Sequence, residues 1–94
     1  MIKHVVMWKF RAGEEAAMRE FLAKLQGLKG VIEQIVDQEV GINCNEKGNF
    51  DAVLISTFRS MAELEAYQTD PRHVAVSSLC KAIRTERASV DFEF

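Results

Sequence analysis

Residues 2–10 (IKHVVMWKF) place Ile2, His4, Val6, Trp8 and Phe10 on one parity and Lys3, Val5, Met7 and Lys9 on the other. This alternation predicts a first β-strand. Both parities are apolar at its centre, as in a strand covered on both sides. Arg11-Ala12-Gly13 breaks the pattern, and Glu14-Glu15 put acids at the positive end of a helix. Ala17, Met18, Phe21, Leu22, Leu25 and Leu28 then recur at three- and four-residue steps, predicting one buried stripe that Lys29-Gly30 closes.

A second strand is expected from Ile35 to about Cys44, with Val36, Gln38, Val40 and Ile42 on one face. The polar turn NCNEKGN joins it to a third, Asp51 to Phe58, so that the two form an antiparallel hairpin. Ser60 and Glu63 have the spacing of a capping box, and Leu64 and Tyr67 turn the short helix that follows toward the sheet. Asp70-Pro71 restarts a helix, with Val76, Leu79, Cys80 and Ile83 as its buried stripe. Ala88, Val90, Phe92 and Phe94 alternate with polar residues in a closing strand.

The order β-α-β-β-α-β, with the second helical segment broken in two, predicts an α+β domain of ferredoxin-like type spanning residues 1–94. Its four strands form one antiparallel sheet with the helices on one face. The opposite face, including Val5 and Met7, then has nothing to cover it. An apolar face left open is an association surface, so a homodimer packed sheet to sheet as an α/β barrel is expected.

Charge narrows the functional classes. Twelve basic against 14 acidic residues, with Lys and Arg scattered, argue against nucleic acid as a partner. No apolar run has the ~20 residues a membrane span requires, and the start lacks the apolar stretch of a signal peptide. A cytoplasmic protein with two reduced thiols, Cys44 and Cys80, is the expectation. The spacing of His and Cys fits no metal site, and no phosphate-binding or dinucleotide-binding motif is present, so no cofactor is expected.

His4 and His73 are the side chains poised to titrate near neutrality. His4 shares the face turned toward the helices. His73 is the third residue of its helix, where the positive helix end favours a neutral ring and so a general base. Tyr67 precedes it and can donate a hydrogen bond into the same region. The competing reading gives these histidines packing and backbone hydrogen bonds alone.

The run Ile2-Lys3-His4-Val5-Val6, then Trp8-Lys9-Phe10, Val40-Gly41, TFRSMAELEAY at 57–67, Asp70-Pro71-Arg72-His73 and Val90-Asp91-Phe92 resembles the stress-responsive A/B barrel (Dabb) domains over essentially the whole chain. The resemblance implies a dimeric α/β barrel with a pocket between sheet and helices bordered by His4, Tyr67 and His73. In a plant branch of polyketide cyclases, the His matching His73 is the base and the Tyr matching Tyr67 assists. Two positions depart from the pattern: Asp70 replaces the first His of a His-Pro-x-His run, and Ala52 stands where the plant cyclases have a His. The expected function is a cofactor-independent cyclase-like or lyase-like enzyme in which His73 abstracts a proton, Tyr67 polarises an oxygen and His4 orients a small apolar or aromatic ligand. A non-enzymatic binding or stabilising dimer is the alternative, and a monooxygenase-like activity ranks third.

Overall fold

The computed structural model describes all 94 residues, in the order β1 (Ile2–Phe10), α1 (Glu15–Gln26), β2 (Asp37–Ile42), β3 (Ala52–Phe58), α2 (Met61–Thr69), α3 (Pro71–Ile83) and β4 (Arg84–Glu93). The strands form one antiparallel sheet ordered β2-β3-β1-β4. This is the ferredoxin-like arrangement expected from the pattern. The broken helix is also present. Asp70, extended at φ −62° and ψ 129°, ends α2 and caps α3 by accepting a hydrogen bond from the Arg72 amide at 2.8 Å.

Two boundaries differ from expectation. Helix α1 stops at Gln26 and is followed by Gly27, although the buried residues continue through Leu28, Ile32 and Ile35. Short-range bonds such as Leu28 N–H to Leu25 C=O wind this segment into successive turns, so apolar spacing persists without a helix. Gly30 belongs to these turns and takes φ +88°, a left-handed value that only glycine adopts without strain. Strand β4 begins four residues before the expected Ala88, directly from the end of α3. Its pairing slips between Lys9 and Phe10, and Thr85 at the slip donates its hydroxyl to the Lys9 carbonyl at 3.2 Å.

Leu79 is exposed rather than part of the buried stripe, which runs through Val76, Cys80 and Ile83. Only half of the expected capping box forms: Ser60 accepts from the Glu63 amide at 3.2 Å, and no reciprocal bond from Glu63 is present. Gln38, on the face shared with Val36 and Val40, closes α1. Its buried side-chain amide donates to the Leu25 carbonyl at 2.6 Å, satisfying an acceptor that the helix end leaves free.

Every strand residue of the apolar core lies on the helix-facing parity. Ile2, Val6 and Trp8 of β1 and Ala52, Leu54 and Phe58 of β3 join the stripe of α1 in one buried cluster. Trp8 packs edge-on against Phe21, their centroids 5.2 Å apart at 86°. Such a pair contributes about 0.5–1.5 kcal/mol beyond its buried area. On the opposite parity, β1, β3 and β4 present Val5, Met7, Val53, Ile55, Val90 and Phe92 in adjacent register. Val90 keeps 57% of its surface accessible and Phe92 47%. No helix is long and apolar enough to cross a membrane.

Candidate functional site

The two histidines converge on a cavity of about 50 Å³ between the sheet and the helices. His4 enters from β1, flanked by Val6 and Trp8, and is 3% exposed because α2 and α3 lie over this parity. His73 enters from the first turn of α3, where Asp70 and Pro71 fix the helix start. Ser77 and Cys80 follow His73 at helical spacing along the same wall. Arg84 and Arg87, from the first turns of β4, complete the rim. Two larger hollows exist, one of about 390 Å³ on the open sheet face beside Met7 and Phe50, the other of about 460 Å³ beside Gly13 and Asp51. Neither contains a histidine, so chemistry rather than volume singles out the smallest space.

Each imidazole is fixed at Nδ1. The His4 ring donates to the Asp91 carboxylate over 2.5 Å, a short charge-assisted contact reached across the β1–β4 ladder. The His73 ring donates to the Gln68 carbonyl at 3.2 Å. In both rings the bonded nitrogen is Nδ1, and no hydrogen bond engages Nε2. The sealed polar atoms without partners are Gln38 Oε1, Ser56 Oγ and Tyr67 Oη, and neither histidine Nε2 is among them.

Electrostatics favour a neutral His73. Burial holds its pKa below the ordinary 6.5, opposed by the Gln68 hydrogen bond and reinforced by the charges of His4 and Arg87. Burial pushes the Cys80 thiol up, partly offset by the Arg84 and Arg87 guanidinium groups beside it. Tyr67 is fully buried, and desolvation raises its phenol well above its usual range. Its ring stacks on His73 with centroids 4.3 Å apart and on Phe58 at 5.0 Å, so it stands behind His73 and does not line the cavity. Asp70, where a His was the alternative, is held at about 2 by its hydrogen bonds from Arg72 and serves as the cap of α3.

The sequence brought His4 and His73 to one side of the sheet but missed Asp91, Arg84 and Arg87. Their signal is the polar parity of the last strand. Arg87, Ser89 and Asp91 pair with Trp8, Val6 and His4 and therefore share the helix-facing side.

The profile of the stress responsive A/B barrel domain matches residues 2–94. The chain belongs to this family. Among solved structures, the domain resembles a dimeric protein of unknown function and ferredoxin-like fold from Bacteroides fragilis, at 31% identity and a TM-score of 0.93 over 99% of this chain and 95% of that one. A Dabb family protein from Mesorhizobium loti matches at 19% identity and a TM-score of 0.82, covering 99% and 95% of the two chains. A hydroxynitrile lyase from Passiflora edulis matches at 12% identity and a TM-score of 0.84, covering 97% and 90%. At such low identities the last two show a common fold alone. No curated protein matches the chain. The Dabb domain is thus established as a family and a fold, with the histidine cavity as its candidate site.

Proposed function

We propose that this Dabb protein is a homodimer whose sheet–helix cavity binds a small molecule and moves a proton on it without a cofactor. The observation that carries the reading is the pair of imidazoles, each tied at Nδ1, to Asp91 and to Gln68, with Nε2 unpartnered beside one cavity. In the reaction, Nε2 of His73 accepts a proton from an activated C–H or O–H group, as its lowered pKa suits a base that is neutral at pH 7. His4, oriented by Asp91, holds the ligand or returns the proton. Tyr67 supplies the wall on which His73 stacks. A hydroxynitrile lyase from Passiflora edulis has the same fold, which supports the reading. The dimer reading rests on the open apolar face and on the dimeric state of the Bacteroides fragilis relative.

Small carbonyl compounds, neutral and acidic, incubated with the protein in D2O test the chemistry through exchange of their α-protons, followed by NMR. Exchange above the buffer rate that is lost in His73→Ala and His4→Ala, both still folded, is the expected result. Exchange that survives both substitutions, or none with any compound, overturns the catalytic reading.

A further inference from the structure

The cavity rim carries two guanidinium groups that nothing in the chain neutralises. Arg84 and Arg87 both lie on the helix-facing parity of β4, opposite Phe10 and Trp8. The ion pairs of the domain engage His4, Lys9, Arg19, Lys24 and Arg72, and neither Arg84 nor Arg87 takes part in one. Arg87 donates only to the Ser89 hydroxyl, at 3.3 Å. The cavity's carboxylate neighbour, Asp91, is already committed to His4. Apolar Val6, Trp8, Phe21 and Leu25 and polar Gln68 and Ser77 line the space between the two arginines and the histidines.

We propose that the ligand of this cavity is an acid, whose carboxylate is held by Arg84 and Arg87 while the atoms next to it reach His4 and His73. The inference rests on the small-molecule reading of the same cavity and adds the chemical class of the ligand. Planar guanidinium groups match a carboxylate with paired N–H donors. Size agrees with charge. About 50 Å³ holds roughly three or four water molecules, enough for a carboxylate with one or two attached carbons but not for an aromatic ring. A longer acid would insert this end and leave its remainder at the rim.

Acetate and acetamide, equal in shape and different in charge, form the test. Each is titrated at fixed pH and ionic strength while the ring nitrogens of His4 and His73 are followed by NMR. Acetate is expected to shift both rings saturably, and acetamide to leave them in place. Arg84→Gln, at a half-buried site, and Arg87→Gln, at an exposed one, are each expected to weaken acetate about tenfold or more. Equal response to acetamide, no response to acetate, or unchanged acetate affinity in both variants overturns the inference. The two readings fail separately. Neutral carbonyl compounds that exchange protons as fast as acids remove the acid preference and keep the catalytic cavity, whereas acetate binding without any exchange does the reverse.

Discussion

Asp91 lies directly across the β1–β4 ladder from His4, 87 residues away in sequence, and its carboxylate accepts the His4 Nδ1 proton at 2.5 Å. The pair joins the first strand to the last and fixes one imidazole of the cavity. His4 itself is 3% exposed, and its Nδ1–H has this carboxylate as its partner. Asp91→Ala is therefore expected to destabilise the domain by about 1–3 kcal/mol, the cost of a buried unpaired donor. Asp91→Asn, which keeps a carbonyl acceptor, should cost less. Urea denaturation measures both, and equal stability of Asp91→Ala and the wild type would show that the bond contributes nothing.

Tyr67 gives the opposite sign. Its hydroxyl is sealed in the core with no hydrogen-bond partner, while its ring makes the contacts to Phe58 and His73. Tyr67→Phe keeps the ring and deletes the orphan oxygen. The variant should be more stable than the wild type by about 1 kcal/mol in urea denaturation, with acetate binding unchanged. A loss of stability would mean that the hydroxyl has a partner in solution.

These two residues show how far the sequence carries. His4 and Tyr67 lie on the buried faces that strand parity and helical spacing assign, since a period of two or of 3.6 residues is local, although Tyr67 does not line the cavity. Asp91 was not seen as a site residue, since only the antiparallel register of β1 on β4 sets it opposite His4. Arg84 and Arg87 were missed for a related reason: β4 begins among charged residues that show no apolar alternation, and pairing with β1 rather than propensity makes them strand. The end of α1 misled because the turns after Gln26 bury Leu28 and Ile32 at nearly helical spacing.

The open sheet face yields a prediction about assembly. Val5 and Val90 are partners across the ladder, with Met7 and Phe92 beside them and no helix above. A face of this kind becomes the interior of a sheet-to-sheet dimer. Val90→Lys puts a charge there, and because Val90 is 57% exposed in the single subunit, its fold should survive. Sedimentation at micromolar concentration should give twice 10.7 kDa for the wild type and a weaker pair for the variant, by about tenfold or more. A folded 10.7 kDa wild type would refute the dimer.

His73 provides a pH dependence whose sign follows from its environment. Burial lowers its pKa in the folded state below the 6.5 of a solvated ring, so over the interval between the two values the unfolded chain binds more protons than the native one. Stability contributed by the neutral ring is complete above 6.5 and is lost as pH falls through the lowered native value. His73→Gln removes the titration while retaining a side-chain N–H that can reach the Gln68 carbonyl. The wild type should therefore lose stability faster than His73→Gln as pH falls below 6.5, and the two curves should run parallel above neutrality. Every other ionisable group is common to both proteins, so the difference between the curves isolates His73. Parallel curves throughout would mean that the His73 ring is no harder to protonate in the fold than in water.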